Sequence, residues 1–236
     1  MVPETASPTQ RGVRDEMLSA AVGLLHEHGP DALQTRRVAG AAGTSTMAVY
    51  THFGGMRGLI AEVAEEGLRQ FDAALAVPET ADPVADILTI GAAYRRYASK
   101  HPHMYRLMFG STSAHGINAP TANVLTLTID DIHQRHPSFA RVVRAVRRCM
   151  LAGRIGSRSP AEAEVQAPAD EQVVATAAQF WTLIHGFVML ELAGFYGPDG
   201  AAVAPVLTAL TTNLLVALGD TPERVERSLA SAMPAG

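Results

Sequence analysis

The chain has a single cysteine, few aromatic residues and no long hydrophobic run that is free of polar groups. Cys149 can form neither an internal disulfide nor a thiolate zinc site by itself. The longest apolar stretch, 180–195, contains His185 and Glu191, so we expect no membrane span. The N-terminus shows no basic region followed by an apolar run, so we expect no secretory signal. These absences favour a cytoplasmic protein over a secreted or membrane protein.

The chain also lacks an excess of basic residues. Its 19 Lys and Arg residues are outnumbered by 23 Asp and Glu residues, and the net charge of −4 excludes a uniformly basic nucleic-acid binder. One segment differs, because 34–60 contains Arg36, Arg37 and Arg57 and no acidic residue. A second acid-free segment, 132–160, carries arginines at helical spacing, which favours a solvated helix face over a second nucleic-acid surface. The arginines at helical spacing are Arg141, Arg144, Arg147 and Arg148.

Nine histidines raise the question of a metal site. In two pairs, His26 with His28 and His101 with His103, the histidines are two residues apart, which places their rings on different sides of a helix. The pair His133 and His136 is three apart, but no third ligand is close in sequence. We find no nucleophile elbow, glycine-rich phosphate loop or pair of acids in a suitable context. We therefore expect no metal, no cofactor and no enzymatic activity.

Apolar residues recur at spacings of three and four between glycine and proline breakers, which predicts an all-α fold. The predicted helices cover about 13–28, 35–42, 46–53, 56–75, 83–100, 102–109, 121–136, 137–153, 170–194 and 201–218. Residues 124–129 alternate like a strand, but no second strand is near to pair with them, so we favour helix there. The other segments are a flexible tail at 1–12, a loop at 110–120, a linker at 154–169 and a polar tail at 219–236, with at most a helical turn after Pro222.

The second and third predicted helices are short and are joined by Gly43-Thr44-Ser45, which is the spacing of a helix-turn-helix. Small residues at this turn allow the two helices to cross closely, and Ser45 stands where an N-cap would stabilise the third helix. The outward residues of that helix are short, apolar or hydrogen-bonding, and none is acidic. Such a surface can approach base edges and phosphates without charge repulsion.

This segment resembles the DNA-binding domain of the TetR family of bacterial transcriptional regulators over about 14–59. The residues that carry the resemblance are Ala20, Ala21, Leu24, Leu25, Gly29, Thr35, Val38, Ala39, Ala42, Gly43, Ser45, Val49, Tyr50, His52, Phe53, Gly54 and Leu59. The resemblance implies an N-terminal three-helix helix-turn-helix head followed by a helical-bundle body for regulation and dimerisation. We accordingly divide the chain into a tail (1–12), a DNA-binding domain (13–56) and a ligand-binding and dimerisation domain (57–236).

The resemblance also implies roles for individual residues. Thr46, Met47 and Thr51 would face bases in the major groove. Arg36 would reach a base or a phosphate. Phosphates would be held by Thr35, Tyr50 and His52, with Ser45 capping the helix that reads the DNA. The family usually has a lysine where this chain has Met56, and the adjacent Arg57 is the candidate to replace that phosphate contact.

Toward the C-terminus, Trp181, His185 and Gly186 are spaced as in one branch of the family, the WHG-type branch. Trp181 and His185 lie one helical turn apart, and packing in a core and polar contact in a ligand pocket are about equally plausible roles. The residues that would line such a pocket, or fill a core, are Met104, Tyr105, Met108, Phe109, Phe180, Trp181, Ile184, His185 and Met189.

The helices predicted at 170–194 and 201–218 have few charges on any face. Because a monomer would expose this surface, we expect a twofold homodimer through these helices. The resulting hypothesis is a ligand-responsive repressor, released from palindromic double-stranded DNA by a small apolar effector. The alternatives are a helical small-molecule-binding protein or enzyme with an inactive DNA head, for which Met56 is the best support, and a regulator without a small-molecule ligand.

Overall fold

A computed structural model describes residues 8–109, 123–156 and 168–232 of the chain. Throughout these ranges the regular secondary structure is helical, without strands, which confirms the all-α prediction. The chain divides into two compact units. The first comprises Met1–Gln70 and His101–Thr121, and the second comprises Phe71–Lys100 and Ala122–Gly236.

The described part of the first unit contains four α-helices and most of a fifth. Its helices are α1 (Pro8–His28), α2 (Thr35–Ala41), α3 (Thr46–Phe53), most of α4 (Met56–Ala74) and α6 (Pro102–Phe109). Met17, Ala21 and Leu25 of α1 recur every four residues and are fully buried, because that interval places them on one helix face. Helix α1 packs against α2 and α6, and α2 packs against α3. Helix α1 starts five residues before the start expected at Val13; residues 1–7 of the expected tail lie outside the described part.

The second unit is a bundle. Its helices are α5 (Pro83–Lys100), α7 (Ile129–Arg135), α8 (Pro137–Leu151), α9 (Asp170–Leu192), α10 (Ala209–Ala217) and α11 (Pro222–Ala232). Helix α8 packs against α5, α7 and α9, and α11 packs against α5. Within the described ranges, α9 alone is long and apolar enough to cross a membrane, but its buried side forms part of the bundle core, as in the central helix of a globular domain.

Three further predicted segments differ from the structure. In the expected helix 121–136, Thr128 and Asp131 form a capping box that delays α7 until Ile129, and a 3₁₀ turn occupies Val124–Thr126. The expected helix 201–218 opens with a π-helical turn, Val203–Thr208, before α10 begins. The expected polar tail contains α11, which forms because one narrow face, with Val225 and Ser228, is buried. The loop expected at 110–120 and residues 157–167 of the expected linker lie outside the described residues.

The arginines of α8 form ion pairs with acidic residues from other segments. Arg141 donates two hydrogen bonds to Asp72, at 2.6 and 2.7 Å, and Arg148 pairs with the buried Asp86. Longer contacts join Arg147 to Asp170 and Arg144 to Glu79. The solvated face favoured by the sequence pattern is therefore largely an ion-pairing face that connects α8 to its surroundings.

Candidate nucleic-acid interface and internal cavity

A glycine turn connects α2 to α3. After α2 ends at Ala41, the Thr44 N–H donates to the Ala39 carbonyl at 2.9 Å, and the Gly43 N–H donates to the Gly40 carbonyl at 3.2 Å. Gly43 has a φ of 63°, in the left-handed region that side chains with a Cβ avoid. This conformation ends α2 and redirects the chain into α3.

Helix α3 is held at both ends. Ser45 is its N-cap, with the Oγ accepting a hydrogen bond from the Ala48 N–H at 3.3 Å. At the other end, Gly54 adopts a left-handed conformation, and its N–H bonds the Tyr50 carbonyl. These local signals fix an eight-residue helix at a defined position after the turn.

The two faces of α3 differ in chemistry. Val49 and Phe53 are buried against the rest of the first unit. On the opposite face Thr46 and Thr51 are exposed, Met47 is 68% exposed and Tyr50 is 60% exposed. The Thr51 hydroxyl donates to the Met47 carbonyl at 3.1 Å, which leaves its oxygen able to accept. An exposed methionine and tyrosine beside threonines form a surface suited to contact rather than to solvation alone.

The helices before and after α3 carry three arginines without counter-charges in the described residues. Arg36, Arg37 and Arg57 are exposed, and none has a carboxylate partner among the residues that the structure describes. Thr35, the first residue of α2, and His52, in the last turn of α3, are half-buried. Since 34–60 contains no acidic residue, the positive potential here is not cancelled locally. The arrangement can bind phosphates with its basic groups and base edges with its hydroxyls.

Arg14, which no sequence pattern indicated, supports α3 from the side. Its guanidinium carbon lies 5.4 Å from the centroid of the Phe53 ring, a cation–π geometry, and its side chain pairs with Glu62 of α4. Arg14 thus links α1, α3 and α4. The partners are too far apart in sequence for any local spacing to reveal them.

The second unit contains a cavity of about 790 Å³ that is partly open to solvent. Its walls come from α5, α9, the π-helical turn, α10, α11 and one residue of α8, and most of them are apolar. The uncharged lining residues are Ile87, Leu88, Ile90, Gly91, Ala92, Tyr94, Ser99, Val142, Phe180, Trp181, Leu183, Ile184, Val203, Leu207, Thr208, Thr211, Leu229 and Ala232. A volume of this size with few polar groups is typical of a small-molecule site.

Aromatic rings and one histidine organise one wall of the cavity. The Trp181 ring meets Tyr94 edge-on at a centroid distance of 5.2 Å, and it meets Phe139 in the same way at 5.5 Å. The Tyr94 hydroxyl lies 3.1 Å from Nδ1 of His185. Burial lowers the pKa of His185, so its ring is neutral at pH 7. These contacts fix the orientation of Tyr94 and Trp181 at the cavity surface.

The residues proposed for a ligand pocket fall in two places. Phe180, Trp181 and Ile184 line the cavity, and His185 bonds to the lining residue Tyr94. Met189 is half-buried on the same helix and is not among the lining residues. Helix α6 carries the others, Met104, Tyr105, Met108 and Phe109, and belongs to the first unit.

The α6 methionines have a packing role within the first unit. A Cβ on Gly67 would lie 2.4 Å from the sulfur of Met104 and 2.9 Å from that of Met108. The absence of a side chain at Gly67 therefore allows α6 to approach α4 closely. The structure does not bring these methionines into the lining of the cavity.

The basic and hydroxyl groups of the cavity were not among the predicted pocket residues. Arg95, Arg96 and Lys100 line it, together with Thr208 and Thr211 of the opposite wall. The Arg95 guanidinium makes a bidentate salt bridge with the Glu191 carboxylate, with nitrogen–oxygen distances from 2.7 to 3.1 Å. The spacing of four between Arg96 and Lys100 was a usable signal, because it places both cations on one side of α5.

Comparison with protein families identifies both parts of the chain. Residues 17–63 match the family described as bacterial regulatory proteins, tetR family. Residues 87–214, more than half of the chain, match the tetracyclin repressor-like C-terminal domain. The chain belongs to the TetR family. The first match contains the helix-turn-helix, and the second contains the TetR-family body with every cavity-lining residue except Leu229 and Ala232 of α11.

Several solved structures share this fold. A protein of unknown function from Rhodococcus sp. RHA1 is 26% identical, with a TM-score of 0.65 over 93% of this chain and 100% of that one. RolR in complex with resorcinol is 14% identical, with a TM-score of 0.58 over 96% and 97% of the two chains. A TetR variant from Acinetobacter baumannii AYE, in complex with minocycline, is 17% identical, with a TM-score of 0.51 over 92% and 97%. No curated protein sequence matches the chain.

The family assignment makes the protein a transcriptional regulator with a DNA-binding head and a regulatory body. This assignment supports a transcriptional regulator rather than the alternative, a helical small-molecule-binding protein or enzyme with an inactive DNA head. The WHG-type branch, suggested by Trp181, His185 and Gly186, stays a prediction, as do the roles of individual residues.

Proposed function

We propose that this TetR-family regulator is a repressor that binds a palindromic operator as a homodimer and is released by a small, largely apolar effector. The observation that carries the DNA-binding part is the exposed, acid-free face of α3 beside three arginines that lack a carboxylate partner in the described ranges. The cavity of about 790 Å³ carries the effector part. As a DNA-binding regulator the protein is proposed to act in the cytoplasm, and we expect it to need no metal, no cofactor and no enzymatic activity.

The exposed side chains of α3 supply the contacts to bases. Thr46, Met47 and Thr51 would face the major groove, where hydroxyls accept or donate and a methionine packs against a thymine methyl group. Arg36 would reach a guanine edge or a phosphate. Thr35, Tyr50, His52 and Arg57 would hold phosphates, and Ser45 fixes the start of the reading helix.

In this proposal the body (57–236) forms the dimer, and the two heads (13–56) of the dimer bind the two half-sites of the operator. Two reading helices about 34–36 Å apart match successive major grooves on one side of the duplex. An effector changes DNA affinity only if it binds one arrangement of the dimer more tightly than the other. Structural neighbours that bind resorcinol and minocycline support the proposal that the fold accepts such molecules.

Selection of duplexes from a random library by the purified protein tests the DNA-binding part. We expect an inverted repeat of roughly 15–30 base pairs, with affinity that falls steeply as salt rises. Arg57→Gln should weaken binding to the selected site and lower the salt slope by about 0.9 for each phosphate that is no longer neutralised. A matched control is Arg69→Gln, which removes an exposed charge from α4 outside this face and should leave the slope unchanged.

The paired substitutions Tyr50→Phe and Thr51→Ala test the reading helix directly. Neither removes a buried side chain, so the fold should persist while affinity for the selected site drops. Unchanged affinity at physiological salt, or no enriched sequence at all, would contradict the proposal. That result would favour the alternative suggested by Met56, a small-molecule-binding protein or enzyme whose head is inactive.

A further inference from the structure

The cavity of the second unit is elongated along α5. The residues of α5 that line it extend from Ile87 to Lys100, which spans about 20 Å at 1.5 Å per residue. Helix α9 contacts the later part of α5, where Glu191 bonds to Arg95 and the Trp181 ring packs against Tyr94 at 5.2 Å. A compact ligand would occupy only part of this length.

The two ends of the cavity differ in polarity. The first half of α5 contributes Ile87, Leu88, Ile90 and Gly91, all uncharged. Every charged lining residue comes from 95–100, at the other end of the same helix. An occupant that fills the whole cavity therefore needs an apolar portion and a polar portion at opposite ends.

The polar end is cationic. Three basic residues and no acidic residue line the described part of the cavity. Glu191 neutralises Arg95, but Arg96 and Lys100 are exposed and have no carboxylate partner in the described ranges. The negative end of the α5 dipole offsets only about half a charge. The sign of the remaining charge selects for an anionic group rather than a neutral or cationic one.

We infer that the cavity binds an elongated organic anion, with an apolar body that passes Trp181 and lies along the first half of α5, and one carboxylate beside Arg96 and Lys100. This inference rests on the proposed function, since it names the chemical class of the effector. The carboxylate stays near solvent, where it keeps part of its hydration, while the apolar body gains from burial.

Trp181 provides the measurement, because it is the only tryptophan of the chain and lies in the cavity wall. Decanoate, 1-decanol and decylammonium share one apolar chain and differ in head-group charge. We expect each titration to change Trp181 emission in proportion to binding, with decanoate binding roughly three- to tenfold more tightly than decanol and decylammonium the most weakly.

The double substitution Arg96→Gln and Lys100→Gln should abolish the preference for decanoate and leave decanol binding unchanged. The control is Arg135→Gln with Arg227→Gln, which removes the same charge from exposed residues outside the cavity and should preserve the preference. Equal or tighter binding of decanol or decylammonium to the unmodified protein would overturn the inference. So would a preference that survives in the cavity variant, or no response to any of the three probes.

A second readout separates this inference from the proposed function. The same probes are added to the protein bound to its selected operator duplex. If decanoate is preferred but no probe reduces DNA binding, the chemistry of the cavity stands and its effector role fails. If decanol releases the DNA as well as decanoate does, the effector role stands and the inference about charge fails.

Discussion

Gly43 determines how the chain leaves α2 for α3. Its φ of 63° lies in the left-handed region, yet a Cβ built there meets nothing within 4 Å. Gly43→Ala therefore adds conformational strain without a steric clash, and we expect it to lower the free energy of unfolding by about 1 kcal/mol. Urea unfolding of the full-length variant measures this change.

A matched control lies three residues earlier. Gly40 is also open to solvent, but it lies within α2 in an ordinary helical conformation. Gly40→Ala should raise the free energy of unfolding by up to about 1 kcal/mol, since alanine is the better helix former. Changes of the same sign in the two variants would show that backbone conformation at Gly43 is not the controlling factor.

His185 gives stability a dependence on pH. Because burial lowers its pKa in the folded state, the unfolded chain takes up the proton first as pH falls. The stabilisation is complete above about pH 6.5, the ordinary histidine value, and declines as pH falls through the lower pKa of the folded state. His136 shifts in the same direction, through burial and then Arg135, so wild type alone does not isolate His185.

The variant His185→Gln separates the contribution of His185 to the pH dependence of stability from that of His136. Urea unfolding at pH 7.5 and at pH 5.5 should show a smaller loss of stability in the variant than in wild type, whatever its stability at neutral pH. An equal loss in both proteins would mean that His185 contributes nothing to the pH dependence.

At the scale of elements, a buried ionic cluster attaches α11 to the bundle. The Arg154 guanidinium donates to Asp220 at 2.7 Å, to Asp82 at 2.9 Å and to Ser228 of α11 at 3.0 Å. The Ser228 hydroxyl donates to Asp82 at 2.6 Å. Burial by itself would raise the pKa of Asp82, but the hydrogen bonds from Ser228 and Ala85, with Arg154 nearby, hold it below its usual value. The cluster therefore requires a charged arginine.

Arg154→Gln should destabilise the protein by about 3–5 kcal/mol, because it leaves the fully buried Asp220 carboxylate with only the longer contact to Arg224, at 3.5 Å, and also removes the cation that pairs with Asp82. The control is Arg144→Gln, which breaks a long, exposed pair with Glu79 and should cost less than about 1 kcal/mol. Denaturant unfolding compares the two. A cost for Arg154→Gln within about 1 kcal/mol of the control would argue against the cluster as the attachment of α11.

The elements that sequence predicts well are those with local signals. The turn at Gly43, the cap at Ser45 and the end of α3 at Gly54 depend on residues within 12 positions of each other. The sequence predicts a polar tail where α11 forms. Local patterns do not show α11, because its attachment to the bundle comes from Arg154 and Asp82, which are 74 and 146 positions from Ser228. The cavity has a similar limitation: its apolar residues Phe180, Trp181 and Ile184 follow from periodicity, whereas the spacing of Arg96 and Lys100 shows a shared helix side but not that this side lines a cavity.

At the scale of the whole molecule, the outer faces of α9 and α10 suggest a self-association surface. The exposed positions of α9 include Ala175, Gln179, Thr182, Gly186 and Leu190, at spacings of three and four and without charge. The exposed residues of α10 are likewise uncharged, with Leu210 at 48% exposure. A continuous uncharged surface on two neighbouring helices is typical of a twofold interface, in which every contact occurs twice.

Thr182→Arg tests this interface and its link to DNA reading. The residue is exposed in the monomer, so the fold should persist, but a twofold interface would gain two buried charges of like sign. We expect light scattering to give twice the chain mass of 25.0 kDa for wild type, and dimer affinity weakened at least about tenfold in the variant. Affinity for a palindromic operator should fall with it, because each half-site then binds alone. Gln134→Arg adds the same charge on the exposed side of α7 and should change neither property. A wild-type mass of one chain at micromolar concentration, or tight operator binding by a monomeric Thr182→Arg variant, would contradict dimeric reading.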